Sequence, residues 1–86
     1  MHVTRDDPVL VELIRIVSEQ TGLSLRDVLP SKRLREDLEV DSLTLHALLI
    51  AIEERWQRML SLDALQRVVT LADLYEAVRE MLREGP

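Results

Sequence analysis

The stretch Asp41-Ser42-Leu43-Thr44-Leu45-His46-Ala47-Leu48-Leu49-Ile50-Ala51-Ile52-Glu53-Glu54-Arg55-Trp56 opens on a polar cap and runs on as an apolar helix. Asp41 suits the N-cap, where a short carboxylate accepts from the free N–H groups of the first turn, and Ser42 then sits in that turn. Leu45, Leu48, Leu49, Ile52 and Trp56 follow at helical spacing, the strongest amphipathic pattern in the chain. The pattern predicts a helix from Ser42 to about Arg58. Trp56 continues the stripe and reads as a plug at one end of a core.

Working toward the N-terminus, Asp7 and Pro8 read as cap and first helical residue. Leu10, Leu13, Ile14 and Val17 form the stripe of a helix over about 8–20. Gly22 is free to take the left-handed conformation that ends it. The connection from about Thr21 to Asp41 is long. Ser24 and Asp27 resemble a weak capping pair for a short turn near 24–29, and Pro30 closes it. The segment Ser31–Val40 is charged but carries Leu34, Leu38 and Val40, which predicts a loop lying across the molecule rather than a free linker. Loops this long are uncommon in small domains and often functional.

Toward the C-terminus, Ser61 caps a short helix over 61–66. Thr70 and Asp73 resemble a capping box, and Leu71, Leu74, Tyr75, Val78 and Leu82 stripe the last helix. Glu84-Gly85-Pro86 read as frayed. The expected fold is all-α: a small four-helix bundle of three long helices and one short one, with a long loop between the first two. It forms a single domain over 1–86, with an ordered core at about 7–83.

Composition narrows the function. A chain of 86 residues buries roughly 64% of its unfolded surface, a modest core that rarely houses a deep active site. Sixteen acidic against 11 basic residues give a net charge of −5, which disfavours nucleic acid. The absence of cysteine excludes disulfides, thiolate metal sites and a cysteine nucleophile. No apolar run approaches the roughly 20 residues of a membrane span. Residues 1–8 lack the apolar core of a signal peptide. A soluble cytoplasmic monomer is expected.

Three chemistries fail on their residues. His46 lies four residues after Ser42, so the two share a helix face, but no oxyanion hole or nucleophile elbow accompanies them. Asp37, Glu39 and Asp41 alternate like the start of a calcium loop, yet Ser42 and Leu48 stand where that loop needs glycine and glutamate. Glu53 and Glu54 point about 100° apart on a helix and cannot share a proton. No catalytic residue and no metal ligand is expected. What remains is Ser42 at a helix N-terminus, where free N–H groups and the helix dipole favour an anion such as a phosphodiester. Spacing alone favours an ordinary capping serine, because serine is common at caps. His46 reads as a partly exposed surface histidine rather than a phosphate contact.

At Asp41-Ser42-Leu43 the sequence resembles an acyl carrier protein. The likeness extends over Leu34–Leu43, Ala51–Trp56 and Thr70–Leu74, and so over nearly the whole chain. The resemblance implies that Ser42 is the attachment site of 4′-phosphopantetheine, transferred from coenzyme A by a separate phosphopantetheinyl transferase. The arm would then carry acyl groups as thioesters to acyl-transferring or condensing enzymes, and the protein itself would not be an enzyme. It also implies a docking surface at Asp41, Leu43, Ala47, Glu53 and Glu54. Glu39 stands where the family usually has glycine, which puts the loop geometry at issue and adds a charge near Ser42. The family commonly has acidic residues at the positions of Thr44 and Ala47. Here Glu53 and Glu54 are balanced by Arg55 and Arg58, so the helix is formally neutral. That difference suggests a dedicated partner set in a polyketide, specialised-lipid or fatty-acid pathway. Two alternatives stay open: a peptidyl or aminoacyl carrier, and a carrier-like interaction module that is never modified.

Overall fold

The computed structural model describes residues 7–84. Each α-helix begins where the sequence supplies an acceptor for the first turn. The Asp7 carboxylate accepts from the Val9 N–H at 2.9 Å and Pro8 follows as first residue of α1 (Pro8–Thr21). Gly22 ends α1 at φ 80°, its N–H donating to the Ser18 carbonyl. After a 3₁₀ turn over Leu25–Asp27, α2 (Ser42–Trp56) starts on Asp41, which accepts from the Thr44 N–H at 2.8 Å. Ser61 caps α3 (Leu62–Gln66), its Oγ accepting from the Ala64 N–H. A full capping box opens α4 (Leu71–Arg83): Thr70 Oγ1 accepts from the Asp73 N–H at 3.1 Å, and the Asp73 carboxylate accepts from the Thr70 N–H at 2.9 Å. Among the described residues the fold is helical throughout, as expected, and the one β-type contact is an isolated antiparallel bridge between Arg33 and Thr70.

The core is drawn from three helices and the loop. Leu10, Leu13, Ile16 and Val17 come from α1, Leu48 and Ile52 from α2, and Leu71, Leu74, Tyr75, Val78 and Met81 from α4. Val28, Leu34, Leu38 and Val40 of the long connection are equally buried. α1 packs against both α2 and α4, while α3 leans on α4. Serving two neighbours shifts the buried arc of α1: Ile16 is buried, whereas Ile14 of the expected stripe is half-buried. In α4 Met81 is buried and Leu82 only partly.

α2 departs most from expectation. It stops at Trp56 rather than near Arg58, because Gln57 adopts a left-handed φ of 59° and its N–H turns back to the Glu53 carbonyl at 2.7 Å. It is not the most amphipathic helix either. Leu48 and Ile52 are buried, but Leu43 is 79% and Ile50 44% exposed, so apolar residues occupy both faces. The sharpest segregation belongs to α4. Trp56 is half-buried and packs against the core from the end of α2.

The charged loop lies across the molecule, as its leucines require. Its backbone is stapled to the α3–α4 connection: Leu34 N–H donates to the Val69 carbonyl, Leu71 N–H to Lys32 and Ala72 N–H to Pro30, each at 2.9 Å. The Val40 N–H closes the loop on the Leu34 carbonyl at 2.8 Å. Backbone groups that would otherwise be stranded beside the core are thereby satisfied. Glu84, expected to fray, instead caps α4, its N–H donating to the Glu80 carbonyl at 3.2 Å, while Gly85, Pro86 and the residues before Asp7 lie outside the described residues.

Candidate functional site

The stapled loop delivers the chain to α2 at Ser42. Val40 is buried as the last anchor, and Asp41 and Ser42 then emerge into solvent. The Asp41 carboxylate is turned onto the first turn of α2. The Thr44 N–H holds it below the ordinary carboxylate range, so it stays ionised at neutral pH. Ser42 is the first helical residue, exposed, at the positive end of a 15-residue helix. Leu43 beside it is the most exposed large apolar side chain among the described residues.

One residue before the anchor-to-cap passage, Glu39 adopts φ 56°. This left-handed conformation is free for glycine and strained for any residue with a Cβ. The loop therefore keeps, with a glutamate, a turn that suits the glycine usual there. Two of the four loop carboxylates are already engaged. Asp37 accepts from the Arg33 N–H at 2.8 Å and pairs with the Arg33 guanidinium, and its pKa is lowered, first by that backbone bond. Asp41 is the second, which leaves Glu36 and Glu39 without an ion-pair partner among the described residues.

The charge balance of α2 also changes on folding. Arg55 reaches across to α1, where its Nε lies 3.2 Å from the Glu12 carboxylate, and its guanidinium sits 5.5 Å from the Trp56 ring centre. Glu12 is held below its ordinary pKa chiefly by the Arg15 guanidinium, with Arg55 adding to it. Glu53 and Glu54, with no ion pair among the described residues, remain exposed carboxylates. Because α2 ends at Trp56, Arg58 falls outside it, and the helix expected to be neutral carries one net negative charge, with Glu53 and Glu54 as a local acidic pair at its C-terminal end.

Of the residues singled out by sequence, Ser42, Asp41 and Leu43 are brought together at the start of α2 and are exposed. Ala47 is half-buried one turn on, and Glu53 and Glu54 lie at the far end of the same helix. His46 is exposed. Sequence reasoning missed Ile50, although its spacing from Leu43 and Ala47 (four, then three) places all three on one line of the helix. Beside the start of α2, Leu34, Val40, Leu45, Leu65, Val68 and Val69, together with the charged Arg35 and Glu36, line a cavity of about 270 Å³ between the loop, α2 and α3. No cluster of metal-ligating side chains exists among the described residues.

An exposed serine opening a long helix can hold a phosphodiester in a favourable field. The family described as the phosphopantetheine attachment site matches residues 11–78. The chain belongs to the acyl carrier proteins. Over 72 residues it is 29% identical to the acyl carrier protein of Acidothermus cellulolyticus, covering 84% of this chain and 86% of the relative. The acyl carrier protein of Myxococcus xanthus is 25% identical over 84% of this chain and 91% of its own. The meromycolate extension acyl carrier protein of Mycobacterium tuberculosis (strain ATCC 25618 / H37Rv) is 23% identical over the whole chain and 74% of its own length. Acyl carrier proteins are carriers, not enzymes, and their cofactor is phosphopantetheine. The residues here fit that group, because Ser42 offers an exposed hydroxyl at a helix N-terminus. When bound, the arm supplies a terminal thiol that this cysteine-free chain lacks. No helix among the described residues is long and apolar enough to cross a membrane.

Proposed function

We propose that Ser42 bears the phosphopantetheine arm of this acyl carrier protein. The observation that carries the reading is the position of Ser42: exposed, first in α2, capped by Asp41, and inside the matched span of 11–78. The protein acts as a tether that presents one acyl group to several acyl-transferring or condensing enzymes at high local concentration. Asp41, Leu43, Ala47, Glu53 and Glu54 form the face those enzymes meet, with Ile50 continuing its apolar line.

We further propose a pathway with dedicated partners that builds lipid or polyketide chains. The relatives include carriers named for meromycolate extension as well as general acyl carriers. From Ser42 to Ile52, α2 carries no acidic or basic side chain other than His46, so an enzyme docking there gains from apolar contact more than from a basic patch. Six of the eight residues lining the cavity beside α2 are apolar, a surface that suits an acyl chain better than a polar aminoacyl group.

The apo protein, incubated with coenzyme A, Mg²⁺ and a broad-specificity phosphopantetheinyl transferase, should gain one phosphopantetheine by intact mass. Ser42→Ala should gain none, and a gain that survives this substitution overturns the assignment. The loaded carrier offered to acyl donors and to adenylating enzymes should accept acyl groups; exclusive aminoacyl loading overturns the pathway reading.

A further inference from the structure

A groove of about 440 Å³ runs between α3 and α4, and no residue of α2 or of the 31–41 loop lines it. One wall is α4 with its C-cap, where Glu76, Glu80 and the cap residue Glu84 repeat every four residues and so stack along one face over about 12 Å. The floor is apolar, with Ala64, Val68, Ala77 and Met81, and Met59 stands at the rim 73% exposed.

The glutamate row is unfavourable for the isolated chain on two counts. Like charges four residues apart repel, and negative charge near a helix C-terminus opposes the dipole. The chain does little to offset this. Among the described residues none of Glu76, Glu80 and Glu84 takes part in an ion pair, and the neighbouring Arg79 is turned away to Asp7. Arg67 is the only cation along the groove among the described residues. An exposed thioether beside an apolar floor is an adaptable contact for side chains of varied shape.

We propose that the α3–α4 groove is a second docking surface, separate from the serine end, and that it takes a cationic amphipathic helix of a partner protein. The apolar side of that helix lies on the Val68–Met81 floor beside Met59 at the rim, and its Lys or Arg side chains meet the Glu76–Glu80–Glu84 row, a helix-in-groove mode. A second copy of this chain fits poorly, since it brings its own net charge of −5. The anionic arm is likewise repelled by the row.

The test is a titration of the isotope-labelled full chain with a synthetic amidated Leu/Lys helix of about four turns. About 0.15 M salt is used, where attraction between distant exposed charges is screened. Amide and methyl shifts should concentrate on Met59, Ala64, Ala77 and Glu80. Glu76→Lys with Glu80→Lys should weaken binding about tenfold or more, and Met59→Ala severalfold. Glu19→Lys with Asp27→Lys makes the same change in net charge and should leave affinity within about twofold. Glu76→Gln with Glu80→Gln gives a milder version should the reversals unfold the chain. No binding, shifts centred on α2 or the acidic loop, equal weakening by both charge-reversed pairs, or dimerisation in place of peptide binding overturns the proposal. Phosphopantetheine transfer to Ser42 should persist in every variant. A failed groove with intact transfer therefore leaves the carrier assignment standing.

Discussion

Glu39 holds a left-handed φ of 56° with no side-chain hydrogen bond among the described residues to reward it. Such a conformation costs an L-residue about 1–2 kcal/mol, against about 0.5–1 kcal/mol of extra unfolded-state freedom that glycine would bring. Glu39→Gly should therefore stabilise the protein by about 0.5–1 kcal/mol, raising the melting temperature by about 2–8 °C in a thermal scan. Gly22 at φ 80° gives the opposite sign. Nothing lies within 4 Å of an added Cβ there, so Gly22→Ala costs only the backbone strain, about 1 kcal/mol. Gly22 could be read from the sequence as a helix end because glycine advertises the conformation. Glu39 and Gln57 could not, because neither residue type signals a positive φ and only the closed path of the loop and the end of α2 impose it. Ser42 was legible for a different reason: the cap before it and the leucine after it are local.

Among the elements, α1 and α4 are joined by a polar cluster that uses the cap of α1 twice. The Tyr75 hydroxyl donates to the Asp7 carboxylate, and Arg79 Nη1 lies 2.8 Å from both the Asp7 oxygen and the Tyr75 oxygen. The Tyr75 hydrogen bond, ahead of the Val9 N–H and Arg79, holds the Asp7 carboxyl below its ordinary value of 3.8. Burial, then the neighbouring carboxylate, raises Tyr75. Asp7→Ala should cost about 2 kcal/mol at neutral pH, from the lost cap together with the unpaired tyrosine. Because the folded state holds this proton less tightly than the unfolded chain, the stabilisation is complete above the ordinary carboxylate pKa. It is lost as pH falls through the lowered folded value. Urea unfolding of wild type and Asp7→Ala at neutral and acid pH checks this: the gap should narrow on acidification, and a constant gap would contradict it. The cap of α1 was visible in Asp7-Pro8. The second use of Asp7 was not, since Tyr75 lies 68 residues along the chain. The apolar stripes were legible as stripes, but which of Ile14 or Ile16, Leu82 or Met81, faced inward depended on how many neighbours each helix has.

For the molecule as a whole, the long loop is part of the core and of the site together. Leu34 and Leu38 are as buried as the helix leucines, so Leu34→Ala should cost about 2–5 kcal/mol, a core-sized loss from a residue outside every helix. Chemical denaturation measures it, and a loss near zero would mean the loop is a dispensable cover. The amides of Leu34, which donates to the Val69 carbonyl, and of Val40, which donates to the Leu34 carbonyl, should resist exchange with solvent to nearly the same degree as those of α1, and early exchange of these two alone would show the staple opening independently. Local chemistry was enough to determine, from sequence, the number of helices, nearly all their starts, the all-α class and the serine that opens α2. Caps, leucine spacing and glycine act within a few residues, so no tertiary structure is needed to read them. Only the tertiary structure decided how the charges pair and where α2 ends. It also decided that a glutamate takes a glycine's conformation, and that α2 exposes Leu43 and Ile50 while α4 carries an uncompensated row of glutamates. Those features depend on contacts between residues far apart in the chain, where packing and electrostatics override local preference.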